Sequence, residues 1–220
     1  MAIDAGPVGK VIASNLTPAA LAPRYGADGI AAAIRHGVAP DGRPLQVMPS
    51  EDFTHLSDAD TAALVAYLQS LPSSDNNPGK THITPFGRVL FLFGQLDLIQ
   101  AARIDHRPRS RTSPASEATA EYGAYLAAAC AGCHGRDFAG QHVPGTPPEF
   151  PDAANLTPHT DGLARWAVGD FRRALRTGRR PDGRELDKFM PWRAYSQMSD
   201  VEIDALWAYL STLPPVASKK

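Results

Sequence analysis

The stretch Cys130-Ala131-Gly132-Cys133-His134 decides how this chain is interpreted, because it holds both of its cysteines. The pattern C-x-x-C-H is the attachment sequence of c-type haem. Each thiol adds to one vinyl group of the porphyrin and forms a thioether bond. The histidine directly after the second cysteine then lies under the iron and becomes its proximal ligand. The motif therefore predicts one covalently bound haem c, with Cys130 and Cys133 as anchors and His134 as a metal ligand.

Three other interpretations of the cysteine pair were weighed. A thioredoxin-like C-x-x-C follows a strand within a βαβ unit, whereas residues 121–129 have helical character. A structural zinc site normally has four ligands, and the chain has no further cysteine to complete one. The third interpretation is a chance match. Motif and context together favour haem attachment.

Met190 is the candidate for the second axial ligand, because a haem that carries electrons usually has a sixth ligand and methionine in that position raises the reduction potential. It stands in Phe189-Met190-Pro191, where the proline favours an extended loop. The alternative is a methionine that fills core space, and position alone does not decide between the two. Met198 directly precedes the capping-box signal at 199–202, so we expect it to pack near the start of the last helix.

An internal repeat runs through the chain at an offset of 140 to 142 residues. The repeated strings are Asn-Leu-Thr-Pro at 15–18 and 155–158, Pro-Asp-Gly-Arg at 40–43 and 181–184, Met-Pro at 48–49 and 190–191, Ser-Asp at 57–58 and 199–200, and Leu-Pro at 71–72 and 213–214. Cys130 lies 25 residues before Asn155, so its equivalent in the first copy would lie upstream of Met1. The first copy thus has the methionine loop and the final helix but no haem-attachment segment.

The spacing of apolar residues predicts helices joined by loops rich in proline and glycine. The last helix, predicted at 199–213, has apolar side chains at the spacing of one helix face. A middle helix is predicted to end at Thr177, before Gly178. A first helix is predicted to run into Cys130, and another to span 86–102. We found no stretch that alternates clearly enough to predict a strand.

These patterns divide the chain into three parts. Residues 1–75 are predicted to be a partial domain without a haem-attachment segment. Residues 76–118 are predicted to be a linker with a helix. Residues 119–220 are predicted to be a complete domain with one haem c.

The composition is that of an ordinary soluble globular protein, with 43% hydrophobic and 20% charged residues. It excludes a chain that is disordered or membrane-embedded throughout. The formal net charge of −1 does not indicate nucleic-acid binding, which usually requires a basic excess. The first residues lack the basic and apolar regions of a signal peptide.

With these motifs in place, the chain resembles class I cytochromes c over about residues 6–214. More closely, it is similar to the tandem, multi-haem cytochrome subunits that accompany bacterial membrane-bound dehydrogenases and respiratory chains. The resemblance implies an all-α fold of cytochrome c-like domains in tandem, the first one incomplete. It implies Cys130 and Cys133 as haem anchors, with His134 and Met190 as the axial ligands.

The resemblance also points to Asn155 and Thr157 as residues of the haem pocket. In that role they would donate hydrogen bonds to a propionate or to an axial ligand. The alternative is a turn followed by a helix cap, which asparagine and threonine also form well. Both interpretations stay open on the sequence.

Six arginines between 172 and 184 form a basic run. Such a run can balance propionates or dock an acidic partner. More often it is the solvated face of a helix.

The function that the resemblance implies is electron transfer, without bond chemistry on a substrate. The implied partners are a redox donor and a redox acceptor, with a dehydrogenase catalytic subunit as a candidate, and no nucleic acid. The expected location is the periplasm, where c-type haem is attached, so an export signal and the first attachment segment are expected upstream of this sequence. Membrane association would require a segment outside the sequence or a partner. The alternative function is a haem-based enzyme or sensor with an open distal site.

Overall fold

Short helices joined by loops make up most of both halves of the computed structural model, as the sequence predicts. The structure describes residues 2–96, 98–107, 109–143, 146 and 150–219. These residues form two compact units, of which the first extends to Thr112 and the second begins at Ser113.

The first unit packs its helices around a small apolar core. Its helices are α1 (Pro18–Leu21), α2 (Ala27–His36), α3 (Ser50–Phe53), α4 (Asp58–Ser70) and α5 (Pro85–Leu92), with 3₁₀ turns at Gly6–Val8 and Gln100–Arg103. Ile30 and Ile34 of α2 are buried with Val65 of α4. Helix α4 begins where Ser57 Oγ accepts a hydrogen bond from the Asp60 N–H at 3.0 Å, which is the usual role of serine at an N-cap.

A three-stranded antiparallel sheet in the first unit was not predicted. It consists of β1 (Ala2–Asp4), β2 (Gly9–Ile12) and β3 (His82–Ile83) in the order β1-β2-β3, with Asp4 opposite Lys10 and Gly9 opposite Ile83. The prediction of helices alone is therefore wrong for these residues. Strands of two to four residues are too short to show an alternating pattern.

The segment 76–118 contains less helix than its apolar centre suggests. Instead of one helix over 86–102, it has α5 and the separate 3₁₀ turn at Gln100–Arg103. The chain leaves the helical conformation at Gly94, whose φ of 70° is favourable only for glycine. The described residues of this segment up to Thr112 group with the first unit.

The second unit has the three helices that the sequence predicts, together with shorter ones. Its elements are α6 (Ala120–Ala127), a 3₁₀ turn (Ala128–Cys130), α7 (Ala131–His134), α8 (Val168–Thr177), α9 (Trp192–Tyr195) and α10 (Asp200–Leu210). Helix α8 ends before Gly178, which is left-handed with φ 70°. Helix α10 begins with a complete capping box, in which Ser199 and Glu202 each accept the other's backbone N–H.

Helices α6 and α10 pack so closely that only glycine fits at their contact point. A Cβ atom on Gly123 would lie 1.9 Å from the Ala205 carbonyl oxygen and 2.8 Å from the Tyr209 Cβ. Ala205 is completely buried. The contact fixes the segment that leads into Cys130 against the last helix.

Replacing Gly123 with alanine is expected to destabilise the second unit by about 3 kcal/mol, because overpacking against a rigid backbone forces the two helices apart. The control is Gly169→Ala in α8, where an added Cβ meets nothing within 4 Å. That variant should gain roughly 0.5–1 kcal/mol from improved helix propensity. Denaturant titration of each variant measures the free energy of unfolding, and equal stabilities would contradict the close contact.

Candidate functional site

The five motif residues comprise the last residue of the 3₁₀ turn that follows α6 and the whole of α7. Cys130 ends the 3₁₀ turn, while Cys133 and His134 belong to α7. Cys130 is half-buried and packs against the apolar core of the unit, and Cys133 is exposed. His134 is buried, with 7% of its surface exposed. The motif therefore places its histidine in the interior and its second cysteine at the surface.

His134 is held in the orientation and tautomer that a proximal ligand requires. Its Nδ1 lies 2.7 Å from the Ala154 carbonyl oxygen. A carbonyl only accepts, so Nδ1–H donates, and Nε2 retains the lone pair that can bind iron. Burial lowers the pKa of His134 below its ordinary value, and the hydrogen bond to Ala154 partly opposes that shift. The imidazole is thus neutral at neutral pH, as a metal ligand must be.

Met190 and Cys130 contact the same apolar cluster. Met190 is half-buried on the loop before α9, where its N–H donates to the Asp187 carbonyl and its carbonyl accepts from the Trp192 N–H. Met198 is also half-buried against this cluster. Packing does not separate the two methionines, so the assignment of Met190 as a ligand stays a prediction.

The surroundings of the motif suit a large apolar ring. The cluster against which Cys130 and Met190 pack is lined almost entirely by aliphatic and aromatic side chains. Its buried members are Ala127, Phe138, Leu163, Phe171, Leu175, Ile203, Leu206 and Leu210. The cysteine pair, the oriented imidazole and the apolar cluster therefore fit a covalently attached haem.

Asn155 and Thr157 are brought together, and in this structure they bind the chain that follows α10. Asn155 Oδ1 accepts from the Thr157 N–H and hydroxyl at 2.8 and 2.7 Å. The Asn155 amide donates to the Val216 carbonyl at 2.8 Å and contacts Ser218 Oγ at 3.3 Å. Both side chains are buried. Their predicted hydrogen bonds to haem stay a prediction, whereas their role in fixing the C-terminal segment is directly visible.

The first unit repeats this arrangement. Asn15 Oδ1 accepts from the Thr17 N–H at 2.9 Å, and its amide donates to the Ser74 and Asn76 carbonyls at 2.8 and 2.9 Å. In both units the Asn-x-Thr string thus fastens the segment after the last helix of the repeat. This role was not predicted from the sequence, although the recurrence of the string in a copy without C-x-x-C-H is a signal for it.

Asn155→Ala is expected to release the segment around Val216, because the half-buried Val216 carbonyl loses its donor and the buried N–H and hydroxyl of Thr157 lose their acceptor. The free energy of unfolding should fall by about 2 kcal/mol. The Val216 N–H, which donates to Thr157 Oγ1, should exchange faster with deuterium. Asn15→Ala is the matched control and should accelerate exchange at Ser74 only. Unchanged exchange at Val216 in the Asn155 variant would show that Asn155 does not fix the C-terminal segment.

The basic run between 172 and 184 is largely paired within its own unit. The ion pairs are Arg172–Asp204, Arg173–Asp170, Arg176–Asp200, Arg179–Glu185 and Arg184–Asp182, at 2.6 to 3.6 Å. These contacts favour a structural role for the run over a docking role.

Comparison with known proteins identifies the second unit. Residues 120–214 match the family model for cytochrome c. This stretch is a cytochrome c domain, and the cofactor of such a domain is covalently bound haem c. The match begins with α6 and ends just beyond α10, so it includes the motif, the methionine loop and the helix contact at Gly123.

Several curated relatives are similar to this chain over less than half of its length. One is the fructose dehydrogenase cytochrome subunit of Gluconobacter japonicus, with 38% identity over 40% of this chain and 19% of the relative. Another is the gluconate 2-dehydrogenase cytochrome c subunit of Pantoea cypripedii, with 36% identity over 47% of this chain and 25% of the relative. The cytochrome c subunit of the quinone alcohol dehydrogenase of Gluconacetobacter polyoxogenes is 34% identical over 49% of this chain and 25% of the relative. The matched stretch thus spans a quarter or less of each relative.

Among the described residues, no helix has the length and apolar character needed to cross a bilayer.

Proposed function

We propose that this chain is an electron carrier, with a His/Met-ligated haem c that alternates between the ferric and ferrous states. The observation that carries the proposal is the buried His134, whose Nδ1–H is fixed by Ala154, directly after the two cysteines of a cytochrome c domain. The protein's part is ligation, an apolar environment and a surface for partners, and no substrate bond is made or broken.

Each residue of the site has a distinct task in this proposal. Cys130 and Cys133 hold the haem through thioether bonds, and His134 Nε2 binds the iron. Met190 would supply the second protein ligand of the iron, which would raise the potential and close the iron to small ligands. Because Cys133 is exposed, the haem edge next to it would lie close to solvent, where electrons can pass to a partner.

We infer that the partner is a bacterial dehydrogenase or another member of its electron-transfer chain. The names of the relatives support this, since each is the cytochrome subunit of a dehydrogenase. The catalytic step would then belong to the other subunit. Attachment of c-type haem favours a periplasmic location, with any membrane association provided by a partner or by a segment outside this sequence.

We further infer that the first unit is an incomplete cytochrome c-like domain in tandem with the complete one at 119–220. Helix α4 is the repeat equivalent of α10, but within the described part of the chain the face equivalent to the one that α10 turns towards α6 is exposed on α4. Ala205 is fully buried, whereas its equivalent Ala63 is exposed. Tyr67 is 61% exposed, whereas its equivalent Tyr209 is half-buried. A helix like α6, carried by a segment upstream of residue 1, would cover this face and bring a second attachment motif within reach of Met48.

The alternative is a haem enzyme or sensor with an open distal site. Absorption spectroscopy of the ferric protein separates the two functions. An electron carrier should be low-spin, show the weak red band of iron–methionine ligation, and bind no carbon monoxide after reduction. It should also cycle reversibly through one electron in a redox titration. A high-spin spectrum with ready carbon monoxide binding would instead support the enzyme or sensor.

A further inference from the structure

A concave basic cavity lies in the first unit and is lined by residues of that unit alone. Its volume is about 460 Å³, and its lining includes Arg35, His36, Asp58, Arg107, Arg109 and Arg111. Cavities that bind small molecules fall in the range of roughly 300–1,000 Å³. The volume of this cavity therefore suits a small-molecule ligand better than the flat surface of a protein partner.

The cavity holds more cationic groups than its carboxylates neutralise. Arg107 and Arg109 share one carboxylate, that of Asp105. Hydrogen bonds from Arg107 are the main reason why the pKa of Asp105 lies well below its usual range, so this carboxylate stays charged. Two guanidinium groups therefore face the cavity with a single negative charge between them.

Arg111 is the most available cation of the group. Its guanidinium has one hydrogen bond, from Nη1 to Thr54 Oγ1 at 3.3 Å, and within the described ranges no carboxylate lies at ion-pair distance from it. Arg35, by contrast, is engaged by Asp58 at 2.7 Å and by the Leu56 carbonyl. Four arginines and two carboxylates thus leave an excess of two positive charges around the cavity.

We propose that this cavity binds a phosphate group. The planar guanidinium fork matches two oxygens of a phosphate, and each such charge-assisted pair is stronger than a neutral hydrogen bond. The three arginines at 107, 109 and 111 would contact the ligand. Arg35 would instead stabilise the cavity lining through its hydrogen bonds and ion pair to α4 and to the residues before α4. The phosphate belongs either to a soluble phosphorylated metabolite or to a lipid headgroup, since the recognising chemistry is the same.

His36 provides an internal reporter of occupancy. Its Nδ1 lies 3.1 Å from His106 Nδ1, and His106 Nε2–H donates to the Ala101 carbonyl. Burial, followed by the charges of His106, Arg111 and Arg35, lowers the pKa of His36. The remaining charged groups of the lining are Asp58, which is engaged by Arg35, and the arginines Arg107 and Arg109. A bound phosphate would add a negative charge nearby and raise the pKa of His36.

The test uses the full, haem-loaded chain with inorganic pyrophosphate, and separately with phosphatidylcholine vesicles that do or do not contain phosphatidic acid. Calorimetry and vesicle sedimentation measure binding, and proton NMR follows the pKa of His36. Arg111→Gln should weaken binding about tenfold, as expected for one charge-assisted pair. Within the protein, this substitution removes only the hydrogen bond from the guanidinium to Thr54. Arg24→Gln, an exposed arginine outside the cavity, is the control and should change binding less than about twofold.

Each outcome decides the proposal. Saturable binding of pyrophosphate that depends on Arg111 and raises the pKa of His36 indicates a soluble ligand. Binding only to vesicles with phosphatidic acid, again dependent on Arg111, indicates a lipid headgroup. Absence of binding to both probes, or an equal loss in the Arg24 and Arg111 variants, overturns the site.

Discussion

Replacing Cys130 and Cys133 together with alanine is expected to abolish covalent haem attachment completely. Both thioether bonds require a cysteine sulfur, and the sequence holds no other cysteine that could substitute. His134 would keep its hydrogen bond to Ala154, but a single coordinate bond does not survive denaturation. Haem staining after denaturing electrophoresis should therefore fall from strong to background.

Two further variants make this result specific. Cys133→Ala alone retains Cys130, so it should keep a weaker haem stain through one thioether bond. Met198→Ala, which removes a half-buried side chain of the same apolar cluster, should leave the stain unchanged. Persistent staining in the double variant would show that haem is bound elsewhere.

Met190→Ala is expected to lower the reduction potential and to open the iron to carbon monoxide. Methionine favours the ferrous state, and its removal leaves water or no ligand in the sixth position. The fall should be on the order of 0.1 V or more, within the roughly 0.8 V that axial ligands span. A redox titration and the spectrum of the reduced protein under carbon monoxide measure the two effects.

Met198→Ala is the matched control for this prediction as well, because both methionines are half-buried against one cluster. It should retain the red absorption band of iron–methionine ligation and a potential close to that of the parent protein. The reverse pattern, with the band lost in the Met198 variant and kept in the Met190 variant, would assign the sixth ligand to Met198. If neither variant changes the potential, ligation by Met190 or Met198 is excluded.

Features that depend on neighbouring residues could be predicted from the sequence. The cofactor follows from the motif at 130–134, because two thioether bonds and an axial ligand need those residue types at that spacing. The last helix follows from its apolar period and from the capping box at Ser199 and Glu202. The end of α8 follows from Gly178, where the chain takes a left-handed conformation.

Features that join distant residues could not be predicted in the same way. Gly123 is an unremarkable helical residue until Ala205 is placed against it. Asn155 has the sequence character of a turn, and only the folded chain shows Val216 as its partner. The basic cavity likewise forms where Arg35 of α2 lies near Arg107, Arg109 and Arg111, and no local sequence pattern predicts this proximity.

The intact mass of the chain is the most direct test of the central claim that it is a c-type cytochrome. The chain would be produced with an added export signal, in a bacterium with an active haem-attachment system, and measured after denaturation. The account predicts the mass of this sequence plus one haem. The mass of the polypeptide alone, under conditions in which a known cytochrome c acquires its haem, would contradict it.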